Sequence, residues 1–513
     1  MRKVMKKILL GVMTLVMTTA LCACSGGTDK DQPGNSGSAQ SDSTSGGSVV
    51  VGITQDIDSL DPHNVAYAGT REVLFNVFEG LVKPNSDGEL VPAVAGEVNV
   101  SDDAKVYTFT LRDGITFHDG SAVTVEDVVY SVNRYADIQG ESSAFSNIKE
   151  IATPDEKTIE ISLNEGDSEF LANLTCAVIP KANEANVNKN PIGTGPFKYE
   201  SYAPGESFVV AKYDGYWLAD CPKLDKVTFK IETDADAALT ALQAGSIDIY
   251  QYLTTDQATV LQNAGFTIME GSVNYVQGMF LNNNFEPFKN KLVRQALYYA
   301  VDRDEINEFL FEGKSHIIGT NMIPAFKKYY DETTETKYSK DLDKAKELLK
   351  EAGYADGFEF TITVPNNYAP HETTAQVIVE QLKEIGVTAK ISLVDFNTWY
   401  SDVYVDRNYE ATVVAVDGTL APGSYFEKNL STASNNFTNY NNAEFDKIYK
   451  EALATVDDAK KVELYKQLQN ILADDAASIY VQDPANLVAV NSKLQGYEFY
   501  PLAAQDMSVV SFK

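Results

Sequence analysis

Cysteine is scarce in this chain, which has four cysteines among 513 residues. Cys22 and Cys24 end an N-terminal apolar segment, so only Cys176 and Cys221 remain for the rest of the chain. Two cysteines exclude a disulfide-rich scaffold. They could form one bridge in an exported protein, but a sequence does not show whether two cysteines meet in space, so their pairing stays open.

Positive charge is also scarce, since 42 lysines and arginines face 73 aspartates and glutamates, a formal net charge of −31. Recognition of nucleic acid needs a basic surface, so this composition argues against a nucleic-acid-binding protein. The acidic surface attracts cationic or amine-bearing partners only weakly and in a salt-dependent manner. With 44% apolar residues the chain can build packed cores, and its length is typical of about two to four domains.

Familiar catalytic and metal-binding motifs are missing. The sequence has no HExxH, no G-x-S-x-G, no P-loop and no glycine-rich dinucleotide loop ahead of a helix. The four histidines, His63, His118, His316 and His371, are scattered without metal-ligand spacing. The sequence therefore predicts neither an enzyme nor a bound cofactor, although a metal chelate built from distant segments stays open.

The N-terminal apolar segment is too short to cross a membrane. It runs from Ile8 to Leu21, 14 residues, whereas a spanning helix needs about 20. It follows a basic start made of Arg2, Lys3, Lys6 and Lys7. A basic start followed by a short apolar run is typical of a secretory signal.

The signal ends in a possible lipidation site. The residues LCAC at 21–24 look like a bacterial lipobox. We predict that residues 1–23 are removed and that Cys24 becomes the lipidated N-terminus, because its thiol is the nucleophile for lipid attachment and two acyl chains anchor stably. An ordinary secretory cleavage site with an incidental cysteine is the alternative.

A flexible tether is predicted behind the signal. Residues 24–48 are rich in serine and glycine, a composition that cannot bury enough apolar area to fold. We expect the fold to begin near Val49. The protein should then lie outside the cytoplasm, held at the cell membrane through its lipid alone.

Strand and helix patterns alternate along the rest of the chain, which predicts an α/β (mixed α+β) architecture with mixed sheets. Thr124 with Asp127 three residues later is typical of a capped helix start. Breaker-rich stretches at 191–196 and 282–287 are typical of turns or hinges. Clear strand patterns lie at 106–111, 358–364 and 387–394, and clear helical patterns at 341–350, 373–385, 443–454 and 461–473.

Eight long motifs occur in a fixed order. The fullest is YTFTLRDGITFHDGSAVTVEDVVYSVNR at 107–134. The others are SLDPHN at 59–64, FNVFEGLV at 75–82, PIGTGPFK at 191–198, LTALQAGSIDIY at 239–250, FKNKLVRQALYYAVDRDEI at 288–306, KAKELLKEAGY at 344–354 and YNNAEFDKIYKEA at 440–452. Together they resemble the bacterial extracellular solute-binding proteins of family 5, which serve peptide, nickel and related ABC importers.

The resemblance implies a periplasmic-binding-protein-like clamp of two lobes, with an additional domain and a hinge between the lobes. Domain I is expected at 49–74, 191–275 and 487–513, the inserted domain II at 75–190, and domain III, the second lobe, at 276–486. Closure would bury the ligand in the cleft, and the closed form would engage the permease and ATPase of an importer. A monomer that captures extracellular peptides, mainly oligopeptides, is expected.

The resemblance also implies a set of binding residues. In peptide-binding members the peptide backbone lies as an added strand between two stretches. These correspond to Val65, Ala66, Tyr67 and Ala68, and to Val414, Ala415 and Val416 leading to Asp417. Asp417 is expected to pair with the peptide α-ammonium, because a desolvated ammonium needs a carboxylate. An aspartate that only caps its loop is the alternative.

Several positions depart from the family pattern. Asn366 stands where dipeptide binders have an arginine for the ligand carboxylate, and Arg407 is the nearest cationic substitute. Val414 takes the approximate place of a tryptophan, whereas Trp399 is retained, either in a side-chain pocket or in the core. The missing arginine argues against a strict dipeptide binder. Longer peptides or a non-peptide solute stay open as ligands.

Other functions stay possible at this stage. A relative could carry a nickel chelate or an oligosaccharide in the same cleft. A sensor or adhesion lipoprotein could use the clamp without transport. A hydrolase is the remaining class, but no nucleophile constellation supports it.

Overall fold

The computed structural model describes residues 46–140, 143–366 and 368–513. The predicted signal peptide, Cys24 and nearly all of the predicted tether lie outside these residues. Across the described ranges, no helix has both the length and the apolar character needed to cross a bilayer.

Strands supply the framework of the fold. In chain order they are β1 Ser48–Ile53, β2 Val82–Pro84, β3 Leu90–Pro92, β4 Ala95–Val100, β5 Val106–Leu111, β6 Ile148–Ala152, β7 Thr158–Leu163, β8 Phe197–Ala203, β9 Ser207–Lys212, β10 Lys226–Ile231, β11 Ile249–Tyr250, β12 Phe266–Ser272, β13 Val276–Leu281, β14 His316–Ile317, β15 Glu359–Pro365, β16 Thr388–Val394, β17 Ala411–Val416, β18 Ile479–Asp483, β19 Ala485–Asn491, β20 Leu494–Gln495 and β21 Ser511–Phe512.

Helices connect and cover these strands. They are α1 Ala68–Leu74, α2 Val125–Gln139, α3 Ala235–Gln243, α4 Thr255–Asn263, α5 Glu286–Lys289, α6 Lys291–Ala300, α7 Arg303–Phe311, α8 Leu342–Glu351, α9 Ala369–Lys383, α10 Phe396–Trp399, α11 Ser424–Glu427, α12 Ala443–Ala454 and α13 Asp458–Asp475. A short 3-10 helix at Phe170–Thr175 and a π-helical turn at Tyr400–Val405 also contribute to the site described below.

Three larger sheets organise the described residues. The first has seven strands in the order β12-β19-β11-β1-β10-β9-β8, the second has six in the order β14-β18-β13-β17-β15-β16, and the third has four in the order β4-β5-β7-β6. The first sheet takes its strands from three separate parts of the chain. A core of buried apolar side chains packs against each sheet. The predicted mixed α/β class is confirmed.

Local sequence signals explain where several helices begin. The Thr124 hydroxyl accepts the Asp127 N–H and the Asp127 carboxylate accepts the Thr124 N–H, a capping box at the start of α2. Asp341 caps α8 by accepting the Lys344 N–H at 2.9 Å. Helix α9 begins four residues before its predicted start because Pro370, in the first turn, is tolerated where no helical N–H bond is needed.

The chain passes twice between the first and second sheets. Strand β12 of the first sheet ends at Ser272 and β13 of the second begins at Val276. Strand β18 of the second sheet ends at Asp483 and β19 of the first begins at Ala485. The two crossings run side by side, since the Val273 N–H donates to the Pro484 carbonyl at 2.9 Å.

A buried carboxyl joins the two crossings. Asp483 is 1% exposed, and its Oδ1 accepts the Tyr275 N–H of the other crossing at 3.1 Å. Burial raises the pKa of Asp483 to about 8, although backbone N–H groups of Tyr275 and Asn274 favour its charged form. The folded protein therefore holds this proton more tightly than the unfolded chain does.

We expect Asp483→Asn to change the pH dependence of stability. A carboxyl whose pKa is raised to about 8 on folding makes stability fall as pH rises from about 4 to about 8. Asparagine has the same shape and does not ionise, so the variant should lose this contribution. Urea unfolding across that range should show the variant gaining stability over the wild type as pH rises. Parallel pH profiles for the two proteins would contradict the assignment.

Candidate functional site

A cleft of about 1100 Å³ lies between elements of all three sheets. Helix α1 and the residues after it form one wall, the second-sheet loop that begins at Asp417 forms another, and residues 143–147 and 165–177 close a third. Small-molecule sites usually have about 300–1,000 Å³. The cleft is therefore large enough for a ligand longer than a single amino acid.

The cleft is lined by more acidic than basic side chains. Its three cationic side chains are Arg71, Lys83 and Lys450. Its six carboxylates are Glu79, Glu165, Asp167, Glu169, Asp417 and Glu427. Burial, and then the charge of Glu169, raise the pKa of Asp167 to about 6, and burial raises the pKa of Glu427. Carboxylates in such surroundings are stabilised by a cationic ligand group.

Asp417 follows β17 directly and faces Arg71 of α1. Its Oδ2 accepts from Arg71 Nη2 at 3.2 Å, and both side chains are 44% exposed. Arg71 Nη1 also donates to the Ala66 carbonyl at 3.2 Å. The ammonium of Lys428 donates to the backbone carbonyl of Asp417. The carboxylate thus connects β17 to α1 through the Arg71 guanidinium.

Tyrosines surround this carboxylate. Burial, then Tyr400 and Asp417, raise the pKa of Tyr404 to about 12, so its hydroxyl stays protonated. The Tyr425 hydroxyl donates to the Asn274 carbonyl at 3.1 Å. A Cβ on Gly418 would lie 2.4 Å from the Tyr425 ring, so only glycine fits beside Asp417.

In the first predicted binding stretch, residues 65–68, most backbone N–H groups are already hydrogen-bonded or belong to a helix. The N–H groups of Ala66 and Tyr67 donate to Asp58 Oδ2 at 2.8 and 3.3 Å, and Ala68 begins α1. Val65 lines the cleft, whereas Ala66, Tyr67 and Ala68 are not among its lining residues. Of these four residues, only Val65 faces the cleft.

The predicted second stretch has an open strand edge. Strand β17 pairs with β13 along its whole length, from Ala411 to Val416. It pairs with β15 only through Ala411 and Thr412. On the β15 side, Val414, Ala415 and Val416 have no strand neighbour among the described residues, which is the arrangement that accepts an added strand.

Val414, Ala415 and Val416 do not line the cleft, and three further predicted residues, Trp399, Arg407 and Asn366, also lie outside its lining. Trp399 is 4% exposed, donates from Nε1 to Thr412 Oγ1 at 2.9 Å and belongs to the second-sheet core. Arg407 does not line the cleft, and its Nη2 donates at 2.8 Å to the carbonyl of Ser434, which does. Asn366 is exposed, and its N–H donates to the Val394 carbonyl at 2.9 Å. The structure therefore brings Asp417 to the cleft but not these three side chains.

Sequence reasoning missed Arg71, Tyr275 and Tyr404, all of which line the cleft. Arg71 lies only four residues after Tyr67, so a lone cation beside a predicted binding stretch was the available signal. Tyr275 and Tyr404 had no comparable signal, because tyrosine is common in both cores and clefts.

The structure describes two of the four cysteines, Cys176 and Cys221, and all four histidines. Cys176 and Cys221 are free thiols, and burial raises the pKa of Cys176 to about 12, which keeps it protonated at neutral pH. His63 Nε2 bonds the Ala177 carbonyl at 2.8 Å, and His371 Nδ1 accepts from Gln277 at 3.1 Å. Within the described part of the chain, no three His, Cys, Asp or Glu side chains are placed to hold a metal ion.

Two lobes built on separate sheets, joined by two adjacent crossings and facing a shared cleft, define a two-lobed solute-binding protein. A sequence model of the bacterial extracellular solute-binding proteins, family 5 (middle region), matches residues 89–438, more than half of the chain. The chain belongs to this family.

Similar proteins cover almost the whole chain. The oligopeptide-binding protein AppA of Bacillus subtilis is 28% identical over 95% of both chains. The glutathione-binding protein GsiB of Salmonella typhimurium is 28% identical over 88% of this chain and 92% of its own. The crystal structure of the ABC transporter substrate-binding protein CtaP of Listeria monocytogenes superposes with a TM-score of 0.82, at 30% identity over 91% of this chain and 99% of its own.

Proposed function

We propose that this protein is the substrate-binding component of an ABC importer and that it captures extracellular peptides, mainly oligopeptides. The observation that carries the proposal is Asp417, a carboxylate in an acid-rich cleft directly after the open edge of β17. Family membership supports a binding role rather than catalysis. Names of relatives add support, since one is an oligopeptide-binding protein and another is the binding component of an ABC transporter.

In the proposed complex the peptide α-ammonium replaces Arg71 at Asp417. A charge-assisted bond to the carboxylate then fixes the amino end of the ligand. The peptide backbone pairs with the unpaired β15 side of β17 at Val414, Ala415 and Val416, and the cleft takes the side chains. Main-chain pairing is independent of sequence, so a range of peptides is accepted.

The three sheets support the predicted division into domains. Domain I comprises 49–74, 191–275 and 487–513, domain II the insert at 75–190, and domain III the second lobe at 276–486. The hinge is proposed at residues 273–275 and at Pro484, where the chain passes between the first and second sheets. Closure about this hinge buries the peptide and produces the form that the permease and ATPase recognise.

The proposed location follows from the N-terminal sequence. Cys24 carries the lipid, the residues that follow it up to the fold at β1 form the tether, and the folded part works outside the cytoplasm as a monomer. A lipid with a flexible tether keeps the cleft near the importer while leaving it free to reorient.

The function is tested by identifying what the protein retains. Purified full-length protein, stripped of ligand by unfolding and refolding, is equilibrated with random-sequence peptides ranging from dipeptides to nonapeptides. Mass spectrometry of the released material should show enrichment of peptides with free amino termini, weighted towards those longer than dipeptides. Retention of sugars or metal chelates from a parallel solute mixture, with no peptide retained, would overturn peptide capture.

We expect Asp417→Ala to weaken binding of a retained free-amine peptide by about 1.5 kcal/mol or more, because a charge-assisted hydrogen bond is lost. Arg71→Met should bind at least as tightly as the wild type, because it removes the competing cation. Both residues are half-exposed, so their ion pair contributes only about 0–1 kcal/mol to folding and neither variant should unfold. Isothermal titration calorimetry measures the effect. If Asp417→Ala weakened binding of the N-acetylated peptide by the same amount, a contact between Asp417 and the α-ammonium would be excluded.

We expect Cys24→Ser to release the protein from the membrane fraction, because serine cannot carry the thioether-linked lipid and the tether binds membrane weakly by itself. Fractionation followed by metabolic labelling with a palmitate analogue measures both effects. The neighbouring variant Cys22→Ser is the matched control and should keep its label. Continued labelling of the Cys24 variant would contradict lipidation at this residue.

A further inference from the structure

A single buried carboxylate connects the insert to the second lobe. Glu169 lies just before the short helix Phe170–Thr175 of the insert. Its Oε1 accepts from the Tyr465 hydroxyl at 2.5 Å and pairs with Lys461 Nζ at 2.9 Å. Its Oε2 accepts the Gly423 N–H at 2.8 Å. All three donors belong to the second lobe.

Neighbouring groups strengthen this contact. Lys461 Nζ also donates to Ser168 Oγ at 2.7 Å, and the Ser168 N–H donates to the Leu453 carbonyl at 3.0 Å. The Glu169 and Lys461 side chains are only 5% and 7% exposed. A buried ion pair of this kind is sensitive to the loss of one partner, because the remaining charge is left without compensation.

The contact reaches the loop that carries Asp417. Gly423 lies near the end of the loop 417–424, and a Cβ at this position would lie 2.8 Å from Glu169 Oε2 and 2.9 Å from the Tyr465 hydroxyl. In the same loop, Leu420 and Ala421 form a small buried apolar cluster with Ala172 of the insert. Asp417, at the start of the loop, thus lies at the proposed ligand position, and Gly423, near its end, contacts the insert.

The insert is bound firmly to the first lobe. Arg134 of α2 donates from Nη1 to Asp61 Oδ1 at 3.1 Å, and the Tyr213 hydroxyl donates to the Phe117 carbonyl at 2.7 Å. Movement of the second lobe away from the first would therefore carry the second lobe away from the insert as well. The bonds of Glu169 to Gly423, Lys461 and Tyr465 would then break.

We propose that Glu169 is a positioning residue: it holds the loop 417–424 in the conformation that presents Asp417, and it does so only when the lobes are closed. This role rests on the proposed contact between Asp417 and the ligand. Closure of the lobes and completion of the site then occur together, because Glu169 of the insert accepts the Gly423 N–H of the loop only after the lobes have closed. On opening, the loop loses this acceptor and Asp417 loses its fixed position.

Hydrogen exchange of the full chain with a retained peptide, which holds the lobes closed, tests the loop directly, because the open form lacks the contact. Glu169→Ala should raise amide exchange in residues 418–424 and leave the α2 peptide unchanged. Glu169→Gln keeps an oxygen for the Gly423 N–H and should show an intermediate increase. Gly423→Ala disturbs the same contact without changing charge and should raise exchange in the same residues.

Asp475→Asn is the matched control. Asp475 also accepts three hydrogen bonds, from Lys291 at 3.0 Å, from the Tyr440 hydroxyl at 2.7 Å and from the Asn442 amide at 2.8 Å. All three donors belong to the same lobe as Asp475. Its loss should lower overall stability without a selective change at 418–424. Equal loop exchange in the Glu169 and Asp475 variants, or no change in the Glu169 variants, would overturn the proposal.

Ligand kinetics separate this proposal from the proposed function. A random-sequence hexapeptide mixture, labelled at its carboxyl end, should dissociate about tenfold faster or more from Glu169→Ala than from the wild type, with little change in association rate, because a charge-assisted bond across the closed interface is lost. Failure of the wild type to retain peptide overturns the proposed function and with it the ligand role of Glu169, whereas retained peptide with unchanged loop exchange in the Glu169 variants overturns the role of Glu169 alone. Unchanged dissociation with raised loop exchange would overturn the link to the ligand.

Discussion

The relative orientation of the two lobes depends on the paired crossings at residues 273–275 and Pro484. These segments hydrogen-bond to each other, and the buried Asp483 accepts a backbone N–H from the opposite crossing. The width of the cleft, the contact between α1 and the Asp417 loop, and the contacts of the insert with the second lobe all follow from this geometry. A buried carboxyl is an unusual connector here, since burial opposes its charge.

The loop 417–424 connects the separate parts of the site. Its first residue carries the carboxylate that faces α1, Gly418 packs against Tyr425 where only glycine fits, and Gly423 donates to Glu169 of the insert. Because β17 lies inside the second sheet and its end leads straight into this loop, the strand fixes the start of the loop at Asp417.

Local signals predicted much of the fold, because caps and periodic patterns act over a few residues. Helix α12 has the predicted bounds 443–454, and β5 has the predicted bounds 106–111. The site was harder, because it depends on contacts between distant residues. Arg71 and Asp417 are separated by 346 positions, which no periodicity reveals. The sequence predicted that Trp399 lies either in a side-chain pocket or in the core. Its hydrogen bond to Thr412 places it in the core.

In the proposed complex, the pairing of Arg71 with Asp417 makes the guanidinium a competitor of the ligand amine. The amine would have to displace the guanidinium, so the free energy of the ion pair would be subtracted from binding. The pair is half-exposed, which makes the subtraction small, about 0–1 kcal/mol. Salt screens the arginine and the ligand ammonium alike. In the proposed complex, affinity at this position would therefore vary less with ionic strength than at a bare carboxylate.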